Sequence, residues 1–249
     1  MKYYWINIEK SLDRKLFMEE QFIKLNIDNV RVKAITPDDL EFVLNEQKPY
    51  ICGNPECKVN NNANCKYEFS CICSHLKAIQ EGLKTDDKYF IIMEDDIYIP
   101  YKIDFNKLIK DLPEDFDIFQ MMVLYQDTTN FLYNNLFLKD MICIQYRPII
   151  PSTGMYLISR KGAEKLINYY YINGKYDFKN YNHIKVADIL LYLSVNTYTT
   201  TYPYCYPLLK YGSEIHPEHN EVHNKAINSI KTIINKKKEN KYILEHFYE

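Results

Sequence analysis

The sequence predicts an α/β fold in which helices flank a mainly parallel sheet. Short apolar segments alternate with longer segments whose apolar residues recur every three or four positions, as strands and helices do when they alternate. Residues 89–93 form an uninterrupted apolar run, which is typical of a strand buried on both faces. The 249 residues contain no internal repeat and no linker, so we expect a single domain over residues 1–249.

Two strands and a helix are predicted before residue 36. Residues 3–8 and 30–35 are short apolar segments of the kind that form strands. Between them, Ser11 is a candidate N-cap for a helix that extends to about Leu25. Apolar residues recur on one face of this helix, at Leu12, Leu16 and Ile23.

Residues 37–68 are predicted to be irregular, with a Cys- and Asn-rich loop excursion at about 45–68. Loops of this length inside a domain are usually functional. Most of the seven cysteines lie between positions 52 and 73, namely Cys52, Cys57, Cys65, Cys71 and Cys73. Their spacing fits no standard zinc site, and disulfides are rare in a reducing compartment. We therefore interpret them as free thiols, with structural zinc as the alternative.

Regular structure is predicted to resume after this loop. A helix over 72–83 has an apolar stripe, and the buried strand at 89–93 follows it. A second helical stripe over 105–112 ends before Pro113, and residues 116–124 are predicted to form a strand. For 125–147 we expect a hairpin with Asn134-Asn135 at its turn. The remaining predicted elements are a strand over 155–158, a helix capped by Ser159, a helix opened by Asp188, an extended segment over 198–206 and a helix over 218–238.

Composition and charge exclude several classes of partner. The net charge of −2 gives no overall field that would attract nucleic acid or an anionic membrane. No stretch reaches the roughly 18 apolar residues of a transmembrane segment. The first eight residues are too short and too polar at their end for a signal peptide. We expect a cytoplasmic protein without a transmembrane segment.

Three consecutive carboxylates, Glu94, Asp95 and Asp96, follow the apolar run at 89–93. The carboxyl ends of strands are where open α/β sheets bind their ligands. Crowded like charges repel, and a divalent cation such as Mg²⁺ or Mn²⁺ would remove that repulsion. If the chain stays extended, Glu94 and Asp96 share one face and Asp95 points to the other. The alternative is an acidic, solvated turn after a strand.

Six segments of the sequence, taken in order over about residues 3–215, carry a family resemblance. They are Ile6-Asn7-Ile8 with Asp13-Arg14, Cys71 to Leu76, Ile91 to Asp96, Ser152 to Arg160, Asp188 to Leu191, and Tyr206-Pro207 with Ser213-Glu214-Ile215. Together they resemble glycosyltransferase family 25. That family includes bacterial lipooligosaccharide galactosyltransferases and the collagen hydroxylysine galactosyltransferase domains.

The resemblance implies a GT-A-like, Rossmann-type fold and a metal-dependent, inverting transfer of a hexose. The sugar would be galactose or glucose, the donor a UDP-sugar, and the acceptor a hydroxyl of a glycan or of a hydroxylated protein. The expected cofactor is Mn²⁺ or Mg²⁺, held by the acidic triplet in place of the family's Asp-x-Asp site. No nucleic-acid partner is expected.

The resemblance also implies roles for individual residues. Asp96 would be the direct metal ligand with Glu94 as its partner, and a third ligand would come from the C-terminal region. His216 is our choice there, with His219 and His223 as other candidates that could equally be surface residues. Residues implied to bind the donor are Asn7, Arg14, Asp95, Thr153 and Gly154.

Asp188 would be the general base that takes the proton of the acceptor hydroxyl. An N-cap is the alternative role for Asp188, and a solvated helix-face residue is the alternative for Arg14. Asp95 could likewise be an exposed acid. For His75 we expect a hydrogen-bonding role between packed elements rather than catalysis.

Two other functions stay open on the sequence. A non-catalytic nucleotide- or glycan-binding module would keep the same fold and bind a UDP-sugar without turnover. A zinc-dependent interaction protein, organised by the cysteines, would instead contain stoichiometric zinc. Sequence does not distinguish galactose from glucose, because the two sugars differ at one hydroxyl.

Overall fold

The computed structural model describes residues 1–45, 62–181, 185–211, 220–236 and 245–248. Its strands are β1 (Tyr3–Asn7), β2 (Asn29–Lys33), β3 (Tyr89–Glu94), β4 (Ile97–Tyr98), β5 (Ile118–Gln120), β6 (Cys143–Gln145), β7 (Met155–Ser159), β8 (Tyr171–Ile172), β9 (Lys175–Tyr176), β10 (Thr197–Thr200) and β11 (Tyr206–Pro207). Its α-helices are α1 (Leu12–Leu25), α2 (Leu40–Val43), α3 (Asn62–Leu83), α4 (Phe105–Leu108), α5 (Gln126–Phe131), α6 (Arg160–Tyr170), α7 (Ala187–Leu193) and α8 (Asn220–Asn235).

A seven-stranded sheet in the order β2-β1-β3-β7-β5-β10-β6 forms the centre of the fold. β1 pairs in parallel with β2 and β3, and β10 pairs in parallel with β5. β7 lies antiparallel between β3 and β5, and β6 is antiparallel to β10. Five of the seven strands therefore run in one direction, and this mixed, mainly parallel sheet with its flanking helices confirms the predicted α/β class.

The sheet has a separate apolar core on each face, because its central strands are buried on both sides. On one face, α3, α6 and α7 contribute Ile72, Leu166 and Leu190. On the other, α1 and α8 contribute Phe22 and Ile230. The alternation of Phe90 and Ile92 with Ile91 and Met93 along β3 divides that strand between the two cores.

Helix α1 packs through a different face from its most obvious apolar stripe. Leu12, Leu16 and Ile23 are exposed, whereas Met18 and Phe22 are buried against the sheet. The sequence spacing correctly placed the three residues on one face of a helix. Spacing alone did not show that the tertiary contacts would use the neighbouring face.

The hairpin expected in 125–147 is wrong. Helix α5 continues into a π-helical turn at Leu132–Leu136 and a 3-10 turn at Phe137–Lys139, so Asn134-Asn135 lie within helical structure. The aromatic rings of Tyr133 and Phe137 stack with centroids 5.6 Å apart, and both side chains are buried. Their burial on one side of this segment accounts for the helical path.

Two further boundaries differ from the sequence expectation. Helix α3 begins at Asn62, so the last part of the predicted loop excursion is helical. Only Ile118–Gln120 of the predicted strand at 116–124 pairs within the sheet.

Ser159 caps α6 as expected, since its side chain accepts a hydrogen bond from the Gly162 N–H at 3.0 Å. Of the helices in the described ranges, none is long and apolar enough to cross a membrane.

Candidate active site

A cavity of about 1010 Å³ opens where β1 and β3 end side by side. The register places Ile6 opposite Glu94, so the residues after both strands meet at one edge of the sheet. Three groups of side chains line the cavity. They come from the strand ends and α1 (Ile6, Arg14, Glu94, Asp95, Asp96), from α3 (Glu68, Cys71, His75), and from the segments beside β7, α7 and α8 (Ser152, Thr153, Gly154, Asp188, His223).

Glu94 is the acid of the triplet that faces α3. Its Oε1 accepts a hydrogen bond from Thr153 Oγ1 at 2.8 Å and lies 3.4 Å from His75 Nε2. Burial raises the pKa of Glu94, but the contacts with His75 and Thr153 outweigh it and hold this pKa below its usual value. The Glu94 side chain is 36% exposed, and it lines the cavity. Glu94 is therefore an ionised carboxylate that a ligand can reach.

Asp95 is buried and fully paired on the opposite side of the strand end. Its Oδ1 accepts from Arg14 Nη1 at 2.9 Å and its Oδ2 accepts from Asn7 Nδ2 at 2.6 Å. Asn7 is itself fixed, because its Oδ1 accepts from Arg31 Nε at 2.9 Å. Burial raises the pKa of Asp95, while Arg14 and Asn7 act to lower it. Asp95 is thus a buried ion-pair partner and not an exposed acid.

Asp96 differs from its neighbours because one of its buried oxygens lacks a donor. Oδ1 has no hydrogen-bond partner among the described residues, and the Oδ2 atom is 4.0 Å from Arg14 Nη1. Burial, followed by the charges of Glu94 and Asp95, raises the pKa of Asp96 to about 8. An unpaired carboxylate in this position is electrostatically unfavourable in the absence of a cation.

The extended geometry expected for the triplet does not continue through it. β3 ends at Glu94, and residues 95–96 form a turn before β4. Strand alternation therefore does not decide which side chains share a face. The contacts show instead that Glu94 faces α3, while Asp95 faces α1.

A strained segment before β7 brings Thr153 to Glu94. Ser152 has φ 122°, which is unusual for a residue with a side chain. Its carbonyl accepts from Gln120 Nε2 at 2.9 Å and from the Tyr192 hydroxyl at 3.0 Å. At Gly154 a Cβ would lie 2.7 Å from the Ile97 side chain, so only glycine fits there without displacement. The donor-site candidates Thr153 and Gly154 thus lie at the cavity beside Glu94.

Asp188 lies in the first turn of α7 and lines the same cavity. The N-cap residue is Val186, so the alternative role of Asp188 as an N-cap is wrong. Its Oδ2 accepts from the Ser152 N–H at 3.3 Å, and its Oδ1 from the Ile189 N–H at 2.9 Å. Burial raises the pKa of Asp188 above its ordinary value, although both backbone hydrogen bonds act to lower it.

The expected third metal ligand is not described by the structure. His216 and His219 lie outside the described residues, whereas His223 lies on α8 and lines the cavity. Within the described part of the chain, no three His, Cys, Asp or Glu side chains converge as a metal site would require. Cys71 and Cys73 are free thiols, and the side chains of Cys52, Cys57 and Cys65 are outside the described set.

Family comparison agrees with the resemblance in the sequence. Residues 1–179 match the model of "Glycosyltransferase family 25 (LPS biosynthesis protein)". The match covers well over half of the 249 residues and includes the acidic triplet. The chain belongs to glycosyltransferase family 25. Membership implies a sugar donor and an acceptor. No curated protein matches the sequence.

Solved structures resemble this family 25 glycosyltransferase only weakly. HddC from Yersinia pseudotuberculosis complexed with GMP-PN aligns with a TM-score of 0.37 and 12% identity, over 93% of this chain and 98% of that one. The inositol-1-phosphate CTP transferase from T. maritima aligns with a TM-score of 0.30 and 10% identity, over 92% of this chain and 78% of that one. The nucleoside-diphosphate-sugar pyrophosphorylase from Vibrio cholerae RC9 aligns with a TM-score of 0.29 and 9% identity, over 80% of this chain and 72% of that one. These values are too low to support a functional inference.

Sequence reasoning did not identify Arg31 as part of the site network and gave His75 no specific partner. Arg31 is on β2 and fixes Asn7, which in turn binds Asp95. His75 is on α3 and contacts Glu94. Both contacts join residues far apart in the chain. The available signal was a histidine within the predicted helix at 72–83, which directly precedes the strand that ends in the acidic triplet.

Replacement of Arg14 by methionine is expected to destabilise the transferase by about 3 kcal/mol at neutral pH, since it leaves the buried Asp95 carboxylate without its cation. The Arg14→Met, Asp95→Asn double variant should recover most of this loss, because it removes both charges. Denaturant unfolding of the wild type, both single variants and the double variant measures the coupling. If the double variant lost as much unfolding free energy as the two single variants lose together, the ion pair would not be the cause.

Proposed function

We propose that this glycosyltransferase is a metal-dependent, inverting enzyme of GT-A type. It would transfer galactose or glucose from a UDP-sugar to a hydroxyl of a glycan or hydroxylated protein. The observation that carries the proposal is the state of Asp96, a cavity-lining carboxylate whose buried Oδ1 has no donor among the described residues. A divalent cation would satisfy this oxygen and remove the repulsion within the triplet.

The donor set fits a Mg²⁺ or Mn²⁺ ion. Such ions keep several waters and bind one or two carboxylates together with substrate phosphates, so three protein ligands are not required. Asp96 would be the principal ligand, with Glu94 as its partner and His216 as the proposed third ligand. The bound ion would supply Lewis-acid stabilisation of the charge that develops on the leaving diphosphate. Asp95 is the less suitable ligand, because each of its oxygens already accepts a hydrogen bond from Arg14 or Asn7.

The side of the cavity next to β1 is our proposed donor site. Asn7, Asp95 and Arg14 form one hydrogen-bonded unit there, and Arg14 Nη2 also donates to the Tyr211 carbonyl at 3.3 Å. Arg14 also lines the cavity, and a guanidinium suits the oxygens of a phosphate. Arg14 would attract the diphosphate of the donor, while Thr153 and Gly154 would border the sugar.

Asp188 is the proposed general base for the acceptor hydroxyl. It is held by the backbone N–H groups of Ser152 and Ile189, and its pKa is raised by burial. A base with a raised pKa takes a proton more effectively than an ordinary aspartate near neutral pH. The donor sugar would lie between Asp188 and the diphosphate, as inversion requires attack from the side opposite the leaving group.

A donor panel tests this function. UDP release from UDP-galactose, UDP-glucose and other UDP-sugars is measured with a glycan acceptor mixture, in the presence of Mn²⁺, Mg²⁺ or EDTA. We expect turnover with one UDP-hexose, loss of turnover in EDTA, and an anomeric configuration opposite to that of the donor by NMR. Asp28→Asn, which changes an exposed acid away from the cavity, should behave as wild type. Tight UDP-sugar binding without turnover on any acceptor would instead favour a non-catalytic binding module.

A further inference from the structure

His75 is the most completely buried polar side chain that borders the cavity without a role in the mechanism above. It lies on α3, is 1% exposed, and belongs to the cavity lining. Its ring lies against that of Tyr156, with centroids 5.8 Å apart and an interplanar angle of 30°. The Tyr156 hydroxyl is 3.2 Å from Nδ1 of the imidazole. Helix packing and this contact hold the imidazole in one orientation.

The other ring nitrogen of His75 points towards Glu94. Nε2 lies 3.4 Å from Glu94 Oε1, slightly longer than an ordinary hydrogen bond. It is inaccessible to solvent and makes no hydrogen bond within the described residues, so Glu94 Oε1 is a neighbour of this nitrogen without a formed bond. A carboxylate accepts hydrogen bonds but donates none, so a proton on the nitrogen that faces it is the arrangement that suits this contact. In this tautomer Nε2 carries the proton towards Glu94, and Nδ1 accepts from the Tyr156 hydroxyl.

Thr153 and His75 approach the same carboxylate oxygen of Glu94. Thr153 Oγ1 donates to Oε1 at 2.8 Å, and His75 Nε2 faces Oε1 as well. Among the described residues, no hydrogen bond or ion pair reaches Oε2. Because the side chain borders the cavity, Oε2 is the oxygen that remains open to a ligand.

We propose that His75 is a positioning residue that, together with Thr153, holds Oε1 of Glu94 so that Oε2 is presented to the divalent cation. This inference rests on the proposed function. Hydrogen-bonding partners of metal-ligating carboxylates orient the ligand, and their loss typically costs 10–100-fold in metal affinity or activity. His75 acts through Glu94 and contacts neither the substrate nor the ion.

Two substitutions separate the two ring nitrogens of His75. The amide nitrogen of glutamine occupies the place of Nε2, so His75→Gln keeps a donor towards Glu94. The amide of asparagine reaches only the place of Nδ1, so His75→Asn keeps the contact with Tyr156 and loses the one with Glu94. Both variants remove the same aromatic ring, and they are matched for loss of packing.

The experiment is calorimetric titration of UDP into each protein with saturating and with limiting Mn²⁺, accompanied by thermal unfolding. We expect His75→Asn to weaken Mn²⁺-dependent UDP binding by about 10–100-fold, and His75→Gln to stay within a few-fold of wild type. Long-range ¹H–¹⁵N spectra should show the wild-type ring protonated on Nε2. Equal weakening by both variants, in proportion to their lower unfolding temperatures, would overturn the proposal and leave His75 as a packing residue. Absence of Mn²⁺-dependent UDP binding in the wild type would instead overturn the proposed function itself.

Discussion

Replacement of Asp96 by asparagine is expected to lower kcat for sugar transfer by about 10²–10³-fold, the size of effect seen when one charge-stabilising group is removed from an active site. The neutral amide is a much weaker ligand for a divalent cation than the carboxylate, so stabilisation of the leaving diphosphate is reduced. Steady-state kinetics with the preferred UDP-hexose and saturating Mn²⁺ measures the change. Asp28→Asn serves as the matched control, because Asp28 is exposed and lies beside the start of β1, whereas the cavity opens at the end of that strand.

Although Asp96→Asn lowers activity, it should raise the stability of the metal-free protein towards neutral pH. The pKa of Asp96 is raised to about 8 in the folded protein, whereas an unfolded aspartate titrates near its ordinary value of 3.8. Between these values the unfolded chain has released the proton and the folded chain retains it. The stability of the metal-free wild type should therefore fall as pH rises from about 4 to about 8. Asp96→Asn should flatten this decline. Unfolding temperatures across that pH range, recorded in EDTA, measure it, and parallel curves would contradict our placement of an uncompensated acid at position 96.

Asp188→Asn is expected to lower kcat by about 10²–10⁴-fold, the usual contribution of a general base. UDP affinity in the presence of Mn²⁺ should change little, since Asp188 is hydrogen-bonded to Ser152 and Ile189 and is not one of the proposed diphosphate contacts. In the wild type, kcat/KM should fall as pH drops through the raised pKa of Asp188, and this acid limb should be absent in the variant. pH–rate profiles with saturating acceptor measure both effects.

The fold of the Asp188→Asn variant must be checked separately, because the wild-type Asp188 side chain accepts two backbone hydrogen bonds. An asparagine oxygen can satisfy only one of the two, so a loss of about 1 kcal/mol in stability is expected. Unfolding at the assay temperature shows whether the variant remains native. A native variant that retained full turnover and an unchanged acid limb would exclude Asp188 as the base.

Local chemistry explains which parts of the molecule could be predicted from the sequence. The apolar run before Glu94 predicts a central strand because burial on both faces needs no long-range information. Ser159 predicts a helix start because its hydroxyl binds an N–H three residues later. The position of the acidic triplet at a cavity then follows from the general behaviour of α/β sheets.

Long-range contacts explain what the sequence could not show. Arg14 and Asp95 are 81 positions apart, and their pairing depends on β1 and β3 being neighbours in the sheet. The antiparallel insertion of β7 beside β3 brings Thr153 to Glu94, and strand direction is not encoded in an apolar pattern. The distinct environments of the three acids are set by these contacts. The sequence of the triplet alone does not show which carboxylate will be paired and which will not.

The most direct test of a cation held by Asp96 is a crystal structure of the protein with UDP and Mn²⁺, recorded with anomalous scattering from manganese. We predict one anomalous peak in the cavity, at about 2.1 Å from an Asp96 carboxylate oxygen and bridging to the diphosphate of UDP. UDP bound in the cavity with no manganese within coordination distance of Asp96 would contradict this assignment.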